Sequence, residues 1–145
     1  MTNPSLPDDL DPLWQGIAEF NQGEFYACHD TLEAIWMISN TPEKPFFQGI
    51  LQLAVALYHL GNHNWRGAVI LLGEGMRRLE PFEPSYLDVN VSDLLDRTSP
   101  WLETLQQSGP EQVAVIASAL TRIRQDDRDV DAITTLPRLK IHRAS

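Results

Sequence analysis

Apolar residues recur along this chain at helical spacing. Leu10, Leu13, Ile17 and Phe20 make a first stripe, and Asn21-Gln22-Gly23 supplies turn chemistry after it. A second helix is predicted from about Glu24 to Ser39, ended by Asn40-Thr41-Pro42, because proline disfavours helical geometry in the residue before it. The third spans roughly Pro45 to Leu60 and stops at Gly61-Asn62. Asn64 is a good N-cap for a fourth, with Trp65, Ala68, Val69, Leu72, Met76 and Leu79 on one face and Arg66, Glu74 and Arg77 on the other. Pro81 closes it. Gly67, Gly73 and Gly75 inside this helix each cost up to about 1 kcal/mol relative to alanine, which predicts close helix approach in return.

Beyond Pro81 the pattern is looser. Pro81 to Asn90 reads as a loop, and Ser92 caps a shorter helix that Pro100 complicates; Ser99-Pro100 could equally start a new one. Gly109-Pro110 is a linker before Val113, Ile116, Ala117, Leu120 and Ile123, which return to helical spacing. Asp126 to Asp131 is acidic, and Leu136 to Ile141 looks extended, so the tail over 126–145 is expected to drape over the helices or fray. No self-similar period argues for a solenoid. The reading is all-α: one domain over 1–145, an antiparallel bundle of about five to six helices with an irregular C-terminal tail, its core most firmly marked over 10–80.

Composition narrows the class. A chain of 145 residues with 43% hydrophobic positions can bury a sizeable core. Eleven Lys and Arg against twenty Asp and Glu give a net charge of -9, which repels phosphate backbones and anionic membranes and argues against nucleic acid as a partner. The single cysteine, Cys28, excludes an internal disulfide and fits a reducing cytoplasm. Met1 to Leu10 is polar and proline-broken and reads as no secretory signal. Pro45 to Trp65 carries no formal charge, but Gln48, Gln52, His59, Asn62, His63 and Asn64 interrupt it, so it is expected to be a buried core helix rather than a membrane span.

Within the second helix one placement stands out. His29 falls near the centre of the apolar arc formed by Phe25, Tyr26, Cys28, Leu32, Ile35, Trp36 and Met37, and Glu33 lies about 40° from it. Burying an ionisable pair is costly unless both members are partnered, which predicts a polar cluster in the core. On the third helix Gln48, Gln52 and His59 converge on a narrow polar stripe. That stripe is either a strip of exposed surface or a set of donors and acceptors turned toward His29 and Glu33.

The motif Phe20-Asn21-x-Gly23-x-Phe25-Tyr26, then His29-Asp30-x-Leu32-Glu33-x-x-Trp36, Phe47-Gln48-Gly49-x-x-Gln52-x-Ala54-Val55-Ala56-x-Tyr58-His59, Gly61-Asn62 and Gly67-Ala68 resembles domain-of-unknown-function family 309 over about Phe20 to Leu79. The resemblance implies a small all-helical protein, and some relatives are described as predicted metal-dependent hydrolases. It marks His29, Glu33, Trp36, Gln48, Gln52, His59 and Asn62 as matched positions, and lends no role to residues after Pro81.

Two classes of function follow. In the first, the bundle holds a small molecule or a divalent transition metal such as zinc, on His29, Glu33 and His59, with Gln48, Gln52, Asn62 and Trp36 around it; His29 and Glu33 are then the catalytic candidates for hydrolysis. In the second, the polar cluster is structural and the chain is a helical module that binds a protein or a second copy of itself. Cys28 reads as a small core hydrophobe, since its neighbour His29 points about 100° away. Trp36 and Trp65 read as core or lid aromatics, His63 and His142 as solvated, and Arg66, Arg77 and Arg78 as a solvated face.

Overall fold

The structure, a computed structural model, describes residues 11–145; Leu10 of the first stripe and the Met1 to Leu10 segment lie outside the described residues. Among the described residues six α-helices follow one another: α1 (Pro12–Asn21), α2 (Phe25–Ile38), α3 (Lys44–Gly61), α4 (Trp65–Leu79), α5 (Val91–Ser108) and α6 (Val113–Asp126). The first four match the periodicity to within a residue or two. Asp11 caps α1 by accepting from the Leu13 N–H at 3.0 Å, and Asn64 caps α4 by accepting from the Gly67 N–H at 3.0 Å. No helix among the described residues is long and apolar enough to cross a membrane.

Helix α3 is the centre of the bundle, packing against α2 on one side and α4 on the other. Phe46, Ile50, Leu53, Leu57 and Leu60 are fully buried along it, each stabilising the fold by about 1.5–3 kcal/mol relative to exposure. Its contact with α4 is made close by glycine. A Cβ on Gly75 would lie 2.9 Å from the Gly49 carbonyl oxygen, and one on Gly49 would lie 2.7 Å from Leu79 Cγ. Gly67 serves a second purpose, seating the His59 ring, which a Cβ there would meet at 2.9 Å. Gly73 has no such role: its nearest neighbour would be Leu102 at 4.0 Å.

The first differences from the sequence reading after Pro81 lie in the loop and in α5. The loop contains a two-residue hairpin, β1 (Ser85–Tyr86) paired antiparallel with β2 (Val89–Asn90). Helix α5 then runs unbroken over both predicted alternatives, capped by Asn90 rather than Ser92, with Pro100 inside it. An interior proline costs about 3 kcal/mol. Burial offsets that cost here, since Leu94, Trp101 and Leu105 on either side of Pro100 are all fully buried.

The tail drapes and does not fray. Leu136, Leu139 and Ile141 are buried against the helices. Trp101 Nε1 donates to the Pro137 carbonyl at 2.8 Å, and Arg97 Nη1 to that of Arg138 at 3.1 Å. His142, expected to be solvated, instead places Nδ1 2.9 Å from Asp93 Oδ2, a carboxylate oxygen that also accepts from Arg97 Nε at 3.0 Å.

Candidate functional site

The expected His29 and Glu33 pair forms, but at the surface. Nε2 of His29 lies 3.4 Å from Glu33 Oε2, with the side chains 28% and 53% exposed. Asp30 takes the other ring nitrogen, at 3.2 Å from Nδ1. The apolar arc of α2 is wider than the arc its neighbours cover, and only Cys28 and Leu32 on this helix are fully buried. Tyr26 and Met37, assigned by periodicity to the apolar arc, are exposed at 60% and 66%, and Ile38 beside them at 86%. The expectation of an interior imidazole and carboxylate is corrected accordingly.

His59 does not join them. Asn64 Oδ1 already accepts from Gly67, so its Nδ2 faces His59 Nδ1 at 3.3 Å as a donor, which leaves the neutral ring protonated on Nε2. The two histidines stand at the ends of a row of rings, His29, Tyr26, Tyr58 and His59, with successive centroids 6.0, 5.4 and 6.3 Å apart. Among the described residues, no group of three or more His, Cys, Asp and Glu side chains is arranged to hold a metal ion.

The glutamines divide in the same way. Gln52 is buried, but it faces α4: its Nε2 donates to Glu74 Oε2 at 3.2 Å, while Oε1 accepts from Arg78 Nε at 2.9 Å. This is a satisfied interhelical network turned toward α4, not toward His29 and Glu33. Gln48 is half-buried on the same helix. Trp36 lies under Lys44, whose Nζ is 4.6 Å from the ring centroid, and its buried Nε1 has no hydrogen-bond partner among the described residues.

Asn62 leads to a different place. It lines a cavity of about 370 Å³ bounded by the α1–α2 turn, the end of α3, one face of α6 and the tail. Phe20, Asn21, Gly23 and Phe25 contribute from the turn, and Leu57, Tyr58, Gly61, Asn62 and His63 from the end of α3. Helix α6 adds Ala117, Ser118, Leu120, Thr121, Ile123 and Arg124, and the tail adds Arg138 and Leu139. The volume lies within the range of about 300–1,000 Å³ usual for small-molecule sites.

Local structure explains why these residues meet. Gly23 has φ +81, a left-handed conformation that ends α1 and redirects the chain into α2. The lack of a side chain there also admits Arg124, whose Nη1 would be 2.6 Å from a Cβ at this position. Asn21 turns its amide toward the tail, holding the Ile141 backbone so that Leu139 and Arg138 form one wall of the cavity.

Residues 13–71 match the domain of unknown function DUF309. The resemblance drawn from the motifs is borne out over that span. The uncharacterized protein YpuF of Bacillus subtilis (strain 168) is 32% identical over 99 residues, which cover 66% of this chain and 52% of YpuF. The chain thus spans about half the length of the curated relative it matches. No solved structure matches the chain.

The DUF309 segment supplies the turn and the end of α3 to the cavity, and the chain beyond it supplies the rest. Sequence reasoning found Asn62 and the Phe20 to Phe25 motif, and missed Arg124, Thr121 and Arg138. One signal was available: Ala117, Thr121 and Arg124 fall at i, i+4 and i+7, on a single stripe of α6.

Proposed function

We propose that this chain is a non-membrane, small-molecule-binding helical domain whose ligand occupies the cavity between the α1–α2 turn, the end of α3 and α6. One observation carries the reading. Phe20, Asn21, Gly23, Phe25, Tyr58, Gly61 and Asn62, the DUF309 motif residues nearest the two turns, line one concave site although they come from two separate stretches of sequence. Cytoplasmic residence and the lack of a nucleic-acid partner belong to the same reading, supported by the lone free thiol and the net charge of -9.

The test is a thermal-shift screen of a metabolite library on the wild type and on Thr121→Trp. Thr121 is exposed and lines the cavity, so the bulky substitution fills the site at little cost to folding. Compounds that stabilise the wild type are expected to lose their effect in the variant. Stabilisation that persists unchanged in Thr121→Trp places the ligand elsewhere and defeats the reading.

The metal-dependent hydrolase reading, with His29 and Glu33 as catalytic candidates and His59 as third ligand, has less support. Both ring nitrogens of His29 face carboxylates, and Nδ1 of His59 faces Asn64, so ligation by the three requires those pairs to open. Zinc, manganese or iron is expected to leave the melting temperature of tag-free protein unchanged. Self-association has in its favour the exposed Tyr26 and Met37, which share one face of α2, with a second copy as occupant. Sedimentation equilibrium of the wild type against Met37→Glu decides it, because a dimer through this face would dissociate in the variant.

A further inference from the structure

The cavity reverses the charge of the molecule around it. The chain carries -9, yet among the described residues no Asp or Glu lines the cavity, whereas Arg124, Arg138 and His63 do. Arg138 is already engaged, its Nη1 donating to Asp127 Oδ1 at 3.0 Å. Arg124 is not: among the described residues it has no hydrogen-bond or ion-pair partner, although acidic groups outnumber basic ones nearly two to one. Its guanidinium lies against Gly23 at the cavity wall, and a guanidinium carries five N–H donors. Phe25, Leu57, Leu120 and Leu139 add apolar surface to the same cavity, beside the polar side chains of Asn62, Ser118 and Thr121.

A guanidinium without a carboxylate in a cavity that also offers apolar surface matches one ligand chemistry. It pairs bidentately with a carboxylate or a phosphate, while the hollow takes hydrocarbon out of water. We propose that the cavity binds an amphipathic organic anion, its anionic head on Arg124 and its apolar body between α3 and α6. This rests on the small-molecule reading above and names the ligand class.

Calorimetric titration with octanoate, octyl phosphate and octanol, below their aggregation limits, tests it on the full chain. Both anions, or one of them, should bind at least about tenfold more tightly than octanol, the preferred anion showing which head group the site takes. Arg124→Gln should weaken the anions about tenfold, leave octanol unchanged, and leave the melting temperature unchanged because no partner among the described residues is lost. Arg124→Lys should restore part of the anion affinity, and added salt should reduce it. Equal binding of anions and alcohol, untouched by Arg124→Gln, overturns the anion assignment while the cavity reading stands. Failure of both anions to bind overturns it too, and the cavity reading is then judged by its own library screen.

Discussion

Asn21 and Ile141 are 120 residues apart and hold each other by two hydrogen bonds: Asn21 Nδ2 donates to the Ile141 carbonyl at 3.0 Å, and the Ile141 N–H donates to Asn21 Oδ1 at 2.7 Å. One side-chain amide thus acts as a strand partner for the tail. Asn21→Ala removes both bonds and should cost about 1–3 kcal/mol in urea unfolding. Amide exchange at Ile141 should rise well before the global transition, since the tail has fewer apolar anchors than the helices. Unchanged protection at Ile141 would show that Leu136 and Leu139 suffice to hold it.

A second clasp sits at the start of the tail. Buried Asp131 accepts from Arg122 Nε at 2.8 Å and Nη2 at 3.0 Å, and from the Thr134 N–H at 2.8 Å and hydroxyl at 2.7 Å. These donors, Arg122 foremost, hold its carboxyl well below the usual carboxylate range. A folded value below the unfolded one means that the unfolded chain binds the extra proton. The stabilisation is therefore complete above about pH 4 and is lost as pH falls further, toward the folded value. Asp131→Asn should lower stability at neutral pH by about 2 kcal/mol, a figure reduced for the partial exposure of Arg122, and should flatten the acid limb of the stability curve.

How far the sequence reached follows from which forces act locally. Helix ends from α1 to α4 were legible because Asn64, Gly23 and Pro42 act on the backbone within a turn of where they stand. Pro100 misled because its local preference is overridden by the burial of Leu94, Trp101 and Leu105, which depends on the tail and on α4. The His29 placement failed for a related reason: a wheel gives the apolar face of α2 but not how much of it a neighbour covers. Gln52 sits in a polar network, but its partners Glu74 and Arg78 lie on α4 rather than α2, which no pattern within α3 could indicate. Arg124 meets Gly23 only through the packing of α6 on the α1–α2 turn, a contact that no short-range pattern encodes.

His29 and Glu33 can now be assigned a cost. A pair 28% and 53% exposed is screened by water, so Glu33→Gln should change stability by less than about 0.5 kcal/mol. A loss near 3 kcal/mol in chemical denaturation would instead restore the buried arrangement that the periodicity suggested.

Cys28 is fully buried, and desolvation pushes its thiol up to about 12. Native protein should therefore resist alkylation at pH 8, reacting only as fast as it unfolds. The linkage has the opposite sign to that of Asp131. Because the folded thiol holds its proton above the unfolded value near 8.5, stability should decline by up to about 1.4 kcal/mol per pH unit above that value, until the folded thiol itself ionises. Cys28→Ala should remove this alkaline slope, which urea unfolding between pH 8 and pH 10 would measure. Rapid labelling of the folded protein would contradict the burial.

Gly73 and Gly75, two residues apart on α4, should respond oppositely to the same substitution. At Gly73 a Cβ would find only Leu102 at 4.0 Å, so Gly73→Ala keeps every contact and restricts the unfolded chain, stabilising by about 0.5–1 kcal/mol. At Gly75 the Cβ would stand 2.9 Å from the Gly49 carbonyl oxygen and 2.8 Å from Leu53 Cδ2. Leu53 can rotate, but the carbonyl belongs to α3 and can yield only if the helices part. Gly75→Ala should therefore lose about 1–3 kcal/mol despite alanine's better helix propensity. Urea midpoints moving in opposite directions would establish that close approach of α3 and α4 at Gly49 and Gly75 fixes the bundle. A stabilised Gly75→Ala would mean the helices can separate at no cost, and the contact would then be incidental.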